Sequence, residues 1–261
     1  MAVTQARAHN LPVLWQLQLS HYNEKVRWAL DHKRIPHVRR SLLPGLHAVK
    51  ARRLTGEGTT PVLTLDGHSI GDSTRIIAAI EDRWQSPPLY PEAGPQRRRA
   101  LELEEFFDEE LGPHIRRASY YELLPYPDRV IPLFTHGQAL PARILVRAAF
   151  PLLRAAMRRA LEINAAAARE SRRKTAAAMD RLEDEIQPSG YLVGDSFTVA
   201  DLTAAALFYP VVRPPEFPYP SVTDRPAGAR EFLDPLGRRP GGAWVAEMYR
   251  RHRSRRTGGA A

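Results

Sequence analysis

Cysteine is absent from this chain of 261 residues. That excludes Cys-ligated zinc, iron–sulfur clusters, CxxC redox chemistry and any protein thiol nucleophile. If thiol chemistry occurs, a small molecule must bring the thiol. No apolar run approaches the roughly 18 residues that mark a membrane span. The first residues, MAVTQARAHN, lack the apolar core of a secretory signal. A soluble, cytoplasmic protein is the expectation. Lysine is also scarce: only Lys25, Lys33, Lys50 and Lys174 stand among the 38 cations, the rest being arginine. We attribute that bias to genome composition rather than to function.

What is present is ordinary globular composition, 43% hydrophobic and 26% charged, which argues against disorder, collagen or a disulfide scaffold. The length allows one large domain or two small ones. The net charge of +9 is uneven. Residues 1–88 hold 12 cations against 7 anions, an excess that suits an anionic small ligand. Residues 250–261 hold five arginines and no acid, and read as a solvated, disordered tail rather than a nucleic-acid site.

The first 88 residues alternate strand and helix patterns. Residues 13–18 read as a buried strand. Ser20 sits as an N-cap before a helix over 21–33 whose stripe is Tyr22, Val26, Ala29 and Leu30. Residues 36–43 suit a second strand and 46–54 a short helix or irregular segment. Two short strands follow, over 60–65 and 68–70, joined by the hairpin signal Asp66-Gly67. Asp72-Ser73 opens a helix with the stripe Ile76, Ile77, Ile80 and Trp84. The order is β-α-β-α-β-β-α. Prolines mark residues 87–96 as a linker, and strand signals then almost vanish. Residues 97–124 read as a long helix bent near Gly112-Pro113, and 140–153 as a basic amphipathic segment interrupted by Pro151. Such a segment suits a membrane surface, but a packed helix with an arginine-rich outer face is the stronger expectation. Residues 154–186 read as one long alanine-rich helix. The eight prolines of 210–240 predict a surface wrap rather than a helix. The domains are therefore 8–86 (α/β), 97–249 (all-helical) and a basic tail, 250–261.

The most specific local signal is Gly194-Asp-Ser-Phe-Thr198-Val-Ala-Asp201-Leu, a capping box in which Thr198 and Asp201 exchange bonds at a helix start, with Phe197 and Leu202 placed as a staple. With Ser20-His-Tyr-Asn-Glu-Lys25-Val-Arg-Trp-Ala-Leu and with Thr60-Pro61-Val-Leu followed by Gly71-Asp72-Ser73-Thr, it forms an ordered set over roughly residues 10–210. In this order the chain resembles the glutathione S-transferase superfamily. The resemblance implies a thioredoxin-like α/β domain followed by an all-α domain. It also implies glutathione, or another low-molecular-weight thiol, as cosubstrate.

Further roles follow from that resemblance. Ser20 occupies the place of the residue that meets the glutathione sulfur in serine-type members. A thiol is mostly protonated at neutral pH, and a donated hydroxyl with a helix N-terminus behind it favours the thiolate. The chain departs from many relatives in having His21 after the serine and Asn23 three residues on, which argues against a cysteine-type reductase. Tyr22 and Asn23 are alternative sulfur donors; otherwise Tyr22 belongs to the core and His21 to solvent. Thr60-Pro61 resembles a cis-proline turn that aims backbone groups at the cysteinyl residue. Asp72 and Ser73 resemble the pair that holds the γ-glutamyl end, although both are equally good helix caps. The glycyl carboxylate has candidates in His47, Lys50, Arg52, Arg53 and Thr59.

The implied activity is transfer of an alkyl or aryl group from a small hydrophobic electrophile to the thiol, as in detoxification. A thiol-dependent isomerase, dehalogenase or ether-cleaving enzyme, and a non-catalytic binding or regulatory protein, remain alternatives on the same fold. Phe106, Phe107, Tyr120, Tyr121, Phe208 and Tyr209 suit either an electrophile site or core packing. A homodimer is implied; nucleic acid, membrane and metal are not expected.

Overall fold

A computed structural model describes residues 11–222 and 224–253. Four strands, β1 (Val13–Gln16), β2 (Val38–Ser41), β3 (Val62–Leu65) and β4 (His68–Gly71), form one sheet in the order β2-β1-β3-β4. β2 runs parallel to β1, whereas β3 is antiparallel to both β1 and β4. The crossover from β1 to β2 carries α1 (His21–His32). α2 (Leu46–Thr55) follows β2, and α3 (Ser73–Arg83) follows β4. The Asp66-Gly67 hairpin forms as its residues require, with both at positive φ, 48° and 82°. Alternation along β1 sends Leu14 to one face, where it packs with Val26, Leu30, Ile35, Leu63, Ile76 and Ile80. β1 ends two residues earlier than expected, because residues 18–19 turn and the Ser20 amide bonds the Leu17 carbonyl at 3.2 Å.

The chain divides into two compact units between Leu89 and Tyr90. Within the first, buried Lys33 fixes the outgoing chain. Its ammonium pairs with Glu81 at 2.6 Å and donates to the Trp84 and Pro87 carbonyls, while the Leu89 amide bonds the Glu81 carboxylate.

The second unit is helical throughout: α4 (Pro95–Phe106), a π-helical turn (Phe107–Leu111), α5 (Gly112–Leu123), α6 (Pro127–Phe134), α7 (Leu140–Ala160), α8 (Ala165–Glu185), α9 (Val199–Val212), α10 (Ala227–Gly237) and α11 (Pro240–His252). α9 is apolar on every side and buried on every side, as a central helix must be. Its capping box is present. The Asp201 carboxylate also takes the Leu192 amide at 2.8 Å, and burial pushes its pKa up to about 6 against those bonds.

The expected break or bend near Gly112-Pro113 is present, as a π turn just before Pro113, whose missing N–H already breaks the regular ladder. Several expectations are corrected here. The expected helix over 154–186 is two helices. Asn164 interrupts it by capping α8, its side chain accepting from the Ala167 amide at 2.9 Å, with Glu162 turned to φ +51°. Pro151 does not break α7, which runs 21 residues. The proline-rich stretch is irregular between α9 and α10, where Pro214, Pro215, Pro218, Pro220 and Pro226 stand; Pro210 and Pro235 instead lie inside α9 and α10, and Pro240 opens α11. Arg225, buried, donates to the Val211 carbonyl at 2.9 Å, and the Pro210 carbonyl is also its partner, so the end of α9 is supplied with donors. Arg250 and Arg251 belong to α11 and Arg253 is buried, so the expected tail does not begin at residue 250. Arg255, Arg256 and residues 8–10 lie outside the described residues.

Candidate functional site

Strand register brings the sequence motifs to one end of the sheet. Trp15 of β1 lies opposite Val62 of β3, and Val62 opposite Gly71 of β4. The chain therefore leaves β1 toward Ser20, enters β3 from Thr60-Pro61, and leaves β4 into Asp72-Ser73, all on the same edge. β2, parallel to β1, exits there too, toward His47 and Lys50 on α2.

Ser20 caps α1 with extended backbone, and its Oγ accepts from the Asn23 amide at 3.3 Å. An oxygen that accepts in this way still has its own hydrogen to donate. The Thr60–Pro61 bond is cis. Asp72 caps α3, its Oδ1 accepting from the Arg75 amide at 3.0 Å, and it does so at φ +67° and ψ 132°. A non-glycine residue held there costs on the order of 1–3 kcal/mol, a cost found mostly where a site needs the geometry. Asp72 itself is exposed, and Ser73, beside it, is buried at the first position of the helix.

Three buried polar residues of α1 join these motifs: Asn23, expected only as an alternative sulfur donor, and Lys25 and Arg27, for which no role was expected. Asn23 Nδ2 donates to Thr60 Oγ1 at 3.3 Å while its Oδ1 accepts from the Leu17 amide at 3.4 Å. Its amide is engaged at both ends as a brace between the end of β1 and the cis-proline turn, and these two bonds use one of the two Nδ2 hydrogens. Lys25 Nζ donates to Thr74 Oγ1 at 3.0 Å, tying α1 to the first turn of α3. Arg27 binds the turn that presents Ser20. Its Nε meets Glu24 Oε2 at 2.7 Å, Nη1 donates to Gln16 Oε1 at 2.9 Å, and Nη2 donates to the Gln18 carbonyl at 3.1 Å and the Ser20 carbonyl at 3.4 Å. The signal for the pair was its i, i+3 spacing beside the apolar stripe of the helix.

His21 is buried rather than solvent-facing, with its ring 4.6 Å from that of Tyr22. Tyr22 is half-exposed instead of lying in the core. The His47 ring accepts at Nδ1 from the Gly45 amide at 3.0 Å, and burial lowers its pKa, so it stands as a neutral imidazole at pH 7. The Lys50 ammonium lies 4.1 Å from the centre of the Trp15 ring. Thr59 is exposed, and the Arg52 guanidinium lies over Gly58. In the helical unit Phe107 and Phe208 are core, edge to face at 6.3 Å, whereas Phe106, Tyr120 and Tyr121 keep part of their surface. Tyr209 is buried and stacked on Phe217. Among the described residues no acidic or histidine cluster is placed to hold a metal, and no helix is long and apolar enough to cross a membrane.

Comparison with known proteins adds the family. Residues 14–88 match the model of the glutathione S-transferase N-terminal domain, and residues 145–227 that of the C-terminal domain. No curated protein matches. Among solved structures, a glutathione S-transferase from Methylobacterium radiotolerans in complex with glutathione sulfonate is 22% identical, with 90% of this chain and 94% of that one covered and a TM-score of 0.54. One from Methylobacillus flagellatus with glutathione bound is 18% identical over 92% and 95%, with a TM-score of 0.60. The β-etherase LigF of a Sphingobium strain is 19% identical over 90% and 98%, again at 0.60. The two family models together span more than half of the chain, on the strand order and capping box described above, and the protein belongs to the glutathione S-transferase superfamily.

Proposed function

We propose that this protein binds glutathione at the open end of its sheet and holds the thiol as thiolate for attack on a small hydrophobic electrophile. The observation that carries the reading is the convergence of Ser20, the cis Thr60–Pro61 turn and the Asp72-Ser73 helix start on one edge. The γ-glutamyl carboxylate would take the Ser73 amide and hydroxyl at the positive end of α3, with Asp72 receiving the α-ammonium. Thr60 would pair its backbone with the cysteinyl residue as an added strand does. Ser20 stays neutral and donates its hydroxyl hydrogen to sulfur, while the α1 N-terminus supplies further positive potential. Neutral His47 would offer an N–H, and Lys50 a charge, to the glycyl carboxylate. The sulfur lone pair then forms the new S–C bond as the leaving group departs with its electrons. The thiol proton has already gone to solvent.

The glutathione-bound relatives support this choice of thiol. The test is a titration of the thiolate absorbance of bound glutathione in the parent and in Ser20→Ala. The thiol pKa is expected below its free value in the parent and about one unit higher in the variant. An unchanged titration in the variant would move the donor role to Tyr22 or Asn23. Absence of glutathione binding in the parent at millimolar concentration would refute the reading and leave another low-molecular-weight thiol or a non-catalytic role on this fold.

A further inference from the structure

We propose that α7 is a membrane-surface docking element that recognises the anionic face of a lipid bilayer. Of the nine exposed large apolar residues among the described residues, four lie on this one helix: Leu140, Ile144, Leu145 and Leu152, between 58% and 78% exposed. At 100° per residue its 21 residues sort into three stripes. Val146 and Phe150 are buried and Met157 half-buried, forming the inner stripe, and α6 is the helix packed along α7. Ile144, Leu145, Ala148, Pro151, Leu152, Ala155 and Ala156 form the outer stripe, every one exposed. Arg143, Arg147, Arg154 and Arg158 run along the edge between them, with Arg159 closing the last turn. The helix contains no acidic residue.

The outward face was expected to be arginine-rich, and the leucines and isoleucine on it are what a packed surface helix does not need. Three occupants compete for such a face. A second copy would bring two arginine rows of the same sign together, which is unfavourable. A protein groove would take Ile144, Leu145 and Leu152 as anchors, but would need an acidic rim to meet the arginine row along one side. A bilayer fits both features. Short apolar side chains enter the acyl boundary to a depth of about 5–10 Å, and arginines with aliphatic stems reach back to lipid phosphates. Arg147 already holds one carboxylate, Asp128 of α6, at 2.8 Å, which leaves the remaining arginines of the row as the main lipid contacts.

The probe is sedimentation of the full chain with vesicles of phosphatidylcholine containing about one part in three phosphatidylserine, against phosphatidylcholine alone. The expected result is binding to the mixed vesicles only, weakened by raised salt. Arg154→Gln with Arg158→Gln should weaken it roughly thirty-fold, about five-fold for each arginine near the surface. Leu145→Ser with Leu152→Ser should abolish it. Both variants should keep the parent's melting temperature, since all four positions are exposed. Failure of the parent to sediment with anionic vesicles overturns the proposal. So does binding indifferent to both variants, or a loss of self-association in Leu145→Ser/Leu152→Ser without any vesicle binding in the parent.

Discussion

Replacing Arg27 by methionine probes the link between the sheet and the turn that presents Ser20. The side chain is fully buried, as is its partner Glu24, and the same guanidinium reaches Gln16 and the carbonyls of Gln18 and Ser20. Methionine fills much of the volume but removes the cation from a buried carboxylate, a change worth about 3–5 kcal/mol. Most domains have only about 5–15 kcal/mol in total, so the variant should be close to its stability limit. Glu24→Gln combined with Arg27→Met removes both charges and should recover about 2 kcal/mol of that loss, because the stranded charge accounts for much of the cost. Arg27→Lys tests the fork itself: an ammonium cannot serve Glu24, Gln16 and two carbonyls at once, so it too should destabilise. Urea unfolding followed by tryptophan fluorescence is a suitable assay, since Trp15, Trp28 and Trp84 are three of the four tryptophans and all belong to the first unit. An Arg27→Met loss below about 1 kcal/mol, or a double variant no better than the single, would refute the reasoning.

Other outcomes follow from the same geometry. Ser20→Ala should cost about 1 kcal/mol of stability through the lost cap, separately from its effect on the thiol, and thermal melting measures that part. Asp201 titrates near pH 6 in the fold and near 3.9 in an unfolded chain. A raised folded pKa means its contribution is fully present below about pH 3.9 and lost as pH rises through 6, by up to about 3 kcal/mol. Denaturation of the parent and Asp201→Asn across pH 4–7 should show that component only in the parent; equal slopes would contradict it. His47, with its pKa lowered, should add no positive charge to the site at pH 7. Its NMR titration should therefore lie below that of a free imidazole, and a midpoint at or above the free value would remove that reading.

Local chemistry was the legible part of this chain. Ser20, Asp72 and Thr198 announce helix starts because a short polar side chain satisfies orphan amides. Asp66-Gly67 announces a hairpin because both positions need positive φ. Those signals sit at the ends of elements, which is where the site was built. What escaped depended on partners distant in sequence. Asn23 reads as an alternative sulfur donor, and its bracing role needed Thr60, 37 positions away, as partner. Arg27 is charged, and its burial depends on Glu24 and Gln16 meeting it in the interior. The prolines at 210 and 235 argued against helix, yet surrounding packing holds both within helices, and Arg225 supplies donors at the end of α9. Asn164 was lost in an alanine-rich pattern, although its capping chemistry was there to be read.

Isothermal calorimetry of glutathione against the parent and Asp72→Asn tests the central claim most directly. Asparagine tolerates positive φ and can still accept from the Arg75 amide, so the fold and cap are kept while the carboxylate is lost. We expect saturable binding to the parent and at least ten-fold weaker binding to the variant, at an unchanged melting temperature. Equal affinity in the two would contradict the assignment of this edge of the sheet as the glutathione site.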